Sequence, residues 1–212
     1  MLVAKRSNRD KNREIRHLMG NENAFISIGK IYKNMEIYGL TKGQYSIINI
    51  IETILNQTGK ADVIISTWTA ANAEIKKAEY FLKNGNINRL HFIVDRSFPT
   101  RQPRYYKQLI DTFGDIVSLT NSHAKFVIIK NDEWNIVIRT SMNLNENKRL
   151  ENFEISDDKE LVDYLLCICD DIISKEYNFK EFELLGKGEK YNKYKVQKLN
   201  DEFDIPNYDF DF

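Results

Sequence analysis

Between residues 35 and 119 short apolar runs alternate with longer stretches whose apolar residues recur at helical spacing, and few folds accommodate that order. Met35–Tyr38, Asp62–Thr67, Arg89–Asp95 and Asp115–Leu119 have the length and β-branched content of strands. The stretches between them read as helices. The first carries Ile47, Ile48, Ile50, Ile51, Ile54 and Leu55 and stops near Gly59. The second runs from Asn72 to Leu82 and ends at Asn84-Gly85, and the third runs from Pro103 to Phe113 with Gly114 just past its end. Proline suits a first helical position because its missing N–H would be unpaired there anyway. Strand–helix–strand alternation predicts a mostly parallel sheet covered by helices on both faces.

After residue 119 the strands crowd together. Ala124–Lys130 and Asn135–Arg139 are separated by a turn's length, with Glu151–Ile155 as one more candidate, so an antiparallel part is added. A last helix from Asp158 to about Lys175 presents Leu161, Val162, Leu165, Ile168, Cys169, Ile172 and Ile173 on one broad face. Upstream, Asn8–Leu18 reads as a polar, basic, helical arm and Phe25–Ile31 as a short strand. Thr41-x-x-Gln44 reads as a capping box, in which side chains satisfy the free N–H groups of a helix start. The expectation is an α/β chain: a basic arm over 1–19, one domain over 20–176 with a mostly parallel or mixed sheet flanked by helices on both faces, and an extension over 177–212.

Composition narrows the setting. At 42% apolar and 29% charged residues the chain can bury a core and stay in water. No uncharged run approaches the roughly 18–20 residues of a membrane span, and charge appears before any apolar leader can form. Cys167 and Cys169, two apart on a helix, do not share a face, so two buried thiols in a reducing compartment are expected. These readings predict a cytoplasmic protein without a membrane partner. Richness in Asn, Lys and Ile associates it with an AT-rich genome, bacterial or phage. The formal charge of zero conceals an asymmetry. Residues 1–17 carry six bases (Lys5, Arg6, Arg9, Lys11, Arg13, Arg16) against Asp10 and Glu14, a net +4, whereas 201–212 carry five acids and no base, a net −5. A polyanion partner suits the first segment. The acidic, aromatic tail suits a protein partner, or a mimic of a polyanion folded over the chain's own basic groove.

The segment from Thr120 to Asn143 carries the chemistry. His123 and Lys125 are two apart where an apolar strand begins, so both project from one face. After a turn near Asn131-Asp132-Glu133 the chain returns and ends at Ser141-Met142-Asn143, again an i, i+2 pair. In a hairpin the start of one strand lies beside the end of the other, so His123, Lys125, Ser141 and Asn143 are placed to converge. An imidazole, an ammonium, a hydroxyl and an amide suit a phosphate group, which needs donors and positive charge. A metal would call for more carboxylates and imidazoles. His17 and His91 lack such company and read as solvated or structural.

His-x-Lys, a strand pair and Ser-x-Asn resemble the signature of the phospholipase D superfamily, His-x-Lys-(four residues)-Asp…Gly-Ser-x-Asn, in its small single-motif nuclease form. Glu151 resembles the acidic residue that follows the signature in many members. Lys130 stands at the family's Asp and Thr140 at its Gly, where a side chain could crowd the phosphate pocket. The resemblance implies phosphodiester cleavage without metal or cofactor. One His attacks phosphorus and a second protonates the leaving oxygen, so a chain with one motif implies a homodimer. It further implies that Lys125 and Asn143 hold the non-bridging oxygens, that Ser141 orients them, and that Glu151 orients the imidazole.

A basic–aromatic stretch, Arg96, Arg101, Arg104, Tyr105 and Lys107 with Phe98 and Tyr106, follows a strand's C-terminal end, where open α/β sheets bind ligands. Aromatic rings beside arginines stack bases, so this stretch is the expected nucleic-acid contact, with DNA ahead of RNA. Thr67 and Trp68 fall at the same edge, although a Trp there is more simply a core residue. Three functions are therefore in competition: a nuclease, a catalytically silent nucleic-acid-binding or assembly protein that keeps the fold, and a phospholipid hydrolase.

Overall fold

Ile47, Ile48, Ile50, Ile51, Ile54 and Leu55 are all buried, as their spacing predicts, on a helix that caps one layer of a large sheet. The computed structural model describes residues 12–17, 23–145 and 148–174. Eight strands form one sheet: β1 (Asn12–His17), β2 (Met35–Thr41), β3 (Ala61–Thr67), β4 (Ile87–Asp95), β5 (Val117–Thr120), β6 (Phe126–Lys130), β7 (Asn135–Thr140) and β8 (Glu151–Asp157). The helices are α1 (Ala24–Ile28), α2 (Ile47–Thr58), α3 (Asn72–Lys83), α4 (Phe98–Arg101), α5 (Pro103–Phe113) and α6 (Lys159–Ser174).

The strand order is β1-β2-β8-β7-β6-β3-β4-β5. β1–β2, β3–β4 and β4–β5 pair parallel. The other four pairings, β2–β8, β8–β7, β7–β6 and β6–β3, are antiparallel. The sheet is therefore mixed rather than mostly parallel, because the β6-β7-β8 meander inserts between β2 and β3. Both faces are covered at its centre. Ile93, Ile128 and Val137 pack against Val162 and Cys169 of α6. The alternate residues, Phe92 and Val94, Val127 and Ile129, Ile136 and Ile138, are equally buried on the other face, where α2, α3 and α5 pack against one another and the sheet. A strand buried on both sides must read as a continuous apolar run, and Val127-Ile128-Ile129 does.

Four local readings change. Asn12–His17 is a strand rather than part of a helical arm. Its Arg13 pairs with the buried Glu36 at 2.7 Å and its Arg16 with Glu14, so these two bases of the arm are internally engaged. Residues 1–11 and the extension 177–212 lie outside the described residues. Phe25–Ile31 is not a strand: Ala24–Ile28 forms α1, started by Asn23, whose Oδ1 accepts from Ile26 N at 2.9 Å. A short apolar run does not distinguish the two states by periodicity, and the cap decides. The helix start after β2 lies at Ser46, whose N and Oγ donate to Asn49 Oδ1 at 3.0 and 3.1 Å. Thr41 and Gln44 instead close the preceding turn, Thr41 Oγ1 accepting from Gly43 N and Gln44 Oε1 from Lys42 N. Finally, Cys169 is buried, which pushes its thiol up to about 11, but Cys167 is exposed.

Gly39 on β2 pairs with Phe153 on β8, and a Cβ at Gly39 would run into the Phe153 ring. That ring packs near Tyr45 with centroids 6.4 Å apart, beside the strand that begins at Glu151. Gly39→Ala is expected to cost about 1–3 kcal/mol through overpacking, read as a lower urea midpoint at unchanged slope. An unchanged midpoint would show that Phe153 has room to move.

Candidate active site

The β6–β7 ladder runs on past its formal ends. Phe126 pairs with Arg139, and Thr140 N donates to Lys125 O at 3.2 Å. His123 and Lys125 therefore stand beside Ser141–Asn143, as the hairpin argument requires. Two anchors come from the end of β3, about sixty residues earlier in the chain. Ser66 Oγ donates to Ala124 O at 2.9 Å, which fixes the His-x-Lys segment. Leu144 N donates to Thr67 Oγ1 at 3.0 Å and Ala71 N to Leu144 O at 2.8 Å, which fixes the Ser-x-Asn segment. Thr67 is thus buried structure rather than rim.

His123 is exposed, with Lys125 Nζ 3.4 Å from its Nδ1, so Nε2 is left for an incoming group. Lys125 is half-buried, and that desolvation lowers its pKa while the Glu151 carboxylate works in the opposite direction. Glu151 differs from its expected part. It accepts from Ser141 Oγ, whose oxygen in turn accepts from Asn152 N at 3.0 Å. Within this chain it therefore serves Ser141 and Lys125 rather than the imidazole. Asn143 lines a recess with Tyr45, Met142, Asn145 and Glu151, and its Oδ1 is buried without a hydrogen-bond partner among the described residues. An amide oxygen left open in this way is an acceptor for an N–H or O–H of a ligand, while the Nδ2 of the same amide is the donor that an oxyanion needs.

Neither departure from the signature blocks the recess. Thr140 turns its hydroxyl inward, donating to Asn152 O at 2.6 Å and accepting from Met142 N at 3.0 Å. Lys130 sits at the far end of β6 and pairs with Asp163 of α6 at 3.4 Å. Among the described residues no three His, Cys, Asp or Glu side chains are grouped as metal ligands. His91 has a structural role: it is half-buried, 2.9 Å from Ser118 Oγ, and burial lowers its pKa.

The expected nucleic-acid stretch divides. Arg101 joins the site through Trp68, which the sequence left between rim and core. The Arg101 Cζ lies 3.4 Å from the Trp68 ring centroid, and the indole packs edge-on to the His123 imidazole with centroids 5.2 Å apart. Arg101 Nη2 donates to Trp68 O at 2.9 Å and Nε to Ser97 Oγ at 2.8 Å. Ser97 in turn donates from Oγ and N to Asp95, which also accepts from Ser122 N at 3.2 Å, next to His123. Burial alone would raise the Asp95 carboxyl. The hydrogen bonds from Ser97 and Ser122 and the charge of Arg101 together outweigh it and hold the carboxyl below its ordinary range. Asp95 was not among the expected residues; its position at the C-terminal end of β4 was the available signal. Lys107 pairs with Asp111 along α5 at 2.7 Å. Phe98 is fully buried and offers no free face, and Tyr106, half-buried against it, is pushed up to about 12 by burial. Arg104 is exposed and Arg96 and Tyr105 are half-buried on the same segment.

No family model matches the sequence, and no curated protein matches it. Solved structures do match. NucT from Helicobacter pylori aligns with a TM-score of 0.51 at 16% identity, over 66% of this chain and 96% of that one. Nuc, a phospholipase D family member from Salmonella typhimurium, aligns at 0.48 and 14% over 66% and 94%. Polyphosphate kinase from Porphyromonas gingivalis aligns at 0.47 and 11% over 68% of this chain and 26% of its own. The fold is phospholipase D-like. In that fold the polar cluster occupies one end of the sheet's central hairpin, and α6 and α2 insulate the strands beneath it. No described helix is long and apolar enough to cross a membrane.

The balance at Lys125 is measurable. Its Cε resonance is expected to titrate below those of the surface lysines. Glu151→Gln removes the charge that opposes desolvation, so the midpoint moves lower still. A midpoint that stays put in the variant would show that Glu151 and Lys125 do not sense each other.

Proposed function

We propose that the chain is a phosphodiesterase of the phospholipase D superfamily that cleaves nucleic acid, DNA ahead of RNA, through a phosphohistidine. The observation that carries this reading is the convergence of His123, Lys125, Ser141 and Asn143 at one end of the β6–β7 hairpin, with Nε2 of His123 left open. In the proposed first step Nε2 attacks phosphorus, the P–O bond to the leaving group breaks, and a second imidazole gives that oxygen its proton. In the next step the second imidazole takes a proton from water, the hydroxide attacks phosphorus, and the P–N bond breaks to return His123. Lys125 and the Asn143 amide neutralise and hold the non-bridging oxygens, and the Ser141–Glu151 pair sets the distance of Lys125 from them. No step requires a metal.

The second imidazole is assigned to His123 of a second copy. His17 lies on the edge strand β1, and His91 is half-buried at Ser118, so neither supplies it within the chain. A two-fold homodimer with the two His123 side chains facing each other completes the proposed site. Lys130 favours the silent-binder reading, since it stands at the family's Asp and is spent on Asp163.

Cleavage of single- and double-stranded DNA and of RNA in excess EDTA separates the readings, with phospholipid vesicles as the lipid arm. Wild-type protein is expected to cut nucleic acid, and His123→Ala to lose at least about 10³-fold in kcat. Binding without cleavage by either protein would move the chain to the silent-binder class. Cleavage confined to vesicles would move it to the lipid hydrolases.

A further inference from the structure

Arg101 is engaged more heavily than a surface arginine needs to be, and one end of it is left over. Its guanidinium is stacked on Trp68, held at Nε by Ser97 and at Nη2 by Trp68 O, while Nη1 has no hydrogen-bond partner among the described residues. The charge is also under-compensated. No described carboxylate lies within ion-pair distance of the guanidinium; Asp95 acts on it through Ser97 Oγ, and desolvation lowers the arginine's pKa against that attraction. A rigid, partly desolvated cation with a free donor is an anion site awaiting its anion.

Its place relative to His123 says which anion. Trp68 touches both residues, with 3.4 Å to the guanidinium carbon and 5.2 Å between ring centroids. The guanidinium therefore lies within about 9 Å of the imidazole, on the far side of a shared Trp68 contact. That range takes in the spacing between consecutive phosphates in an extended strand. From this geometry we infer that Arg101 binds the phosphate adjacent to the scissile one, which makes the site a reader of consecutive phosphodiesters, as in a polynucleotide, rather than of isolated diesters such as lipid headgroups. The inference rests on His123 marking the scissile phosphate, as proposed above, and adds a specificity determinant to it. Asp95 has a defined part here: by holding Ser97 and Ser122 together it fixes the Arg101 subsite and the His123 segment at one distance.

The test compares kcat/KM on a single-stranded oligodeoxynucleotide with kcat/KM on bis(p-nitrophenyl) phosphate, which has one diester and no neighbour, for the full chain and for Arg101→Gln, both in EDTA. The ratio of the two values is expected to fall by about tenfold or more in the variant, the loss that follows one charge-assisted hydrogen bond. An equal loss on both substrates, which leaves the ratio unchanged, overturns the subsite and would mean that Arg101 shares the scissile phosphate or only shapes Trp68 and His123. Should Arg101→Gln unfold, judged by circular dichroism, Arg101→Lys keeps the charge but not the fork, and the same fall in the ratio is required of it. Wild-type protein that cuts neither substrate defeats the catalytic reading and leaves the subsite to binding. There the salt dependence of oligonucleotide affinity, as a log–log slope, must decrease by about 0.7 in Arg101→Gln; an identical slope overturns the inference.

Discussion

The register of β6 against β7 is the constraint on which the site depends. Val127, Ile128 and Ile129 are buried on alternating faces, opposite Ile138, Val137 and Ile136, so the pairing cannot slip by one residue without turning each apolar side chain to the wrong layer. That ladder continues to Thr140 N and Lys125 O, so the packing that pins the middle of the hairpin also sets where His123 and Lys125 meet Ser141 and Asn143. The polar cluster is thus placed by the apolar core beneath it, with Ser141 Oγ engaged by Glu151 and Nε2 of His123 left open.

The end of β3 converts that hairpin into a rigid site. Ser66, Thr67 and Trp68 reach, respectively, Ala124, Leu144 and His123, so one strand terminus braces both halves of the motif and one face of the imidazole. Charge is distributed to match. Lys125 senses the charge of Glu151, which accepts from Ser141, and Arg101 has Asp95 one hydroxyl removed, through Ser97. A direct ion pair would spend the Arg101 cation; the intervening Ser97 orients it without neutralising it at contact.

Much of this was legible in the sequence because it is local. The helices at 47–58, 72–83 and 103–113 follow from apolar spacing and from Pro and Gly at their ends, and the meeting of His-x-Lys with Ser-x-Asn follows from a turn of a few residues. The misread elements are those where local signals conflict or are too short. The run at 24–28 is too short for periodicity to decide, and an Asn23 cap starts a single helical stretch there. At 12–17 the basic side chains hide a strand, whose Arg13 and Arg16 find acceptors in Glu36, Glu14 and Ile28 O.

By itself the sequence determined that an α/β sheet forms and that the His-x-Lys and Ser-x-Asn segments meet at one end of a hairpin, since both follow from residue spacing within about twenty positions. Only the tertiary structure decided that the meander enters between β2 and β3, that Glu151 serves Ser141 and Lys125, and that Trp68 carries Arg101 to the side of His123. Those contacts join segments about thirty to sixty residues apart or pass through a loop, and their selection depends on the summed burial of the whole sheet. No single spacing in the chain encodes that sum.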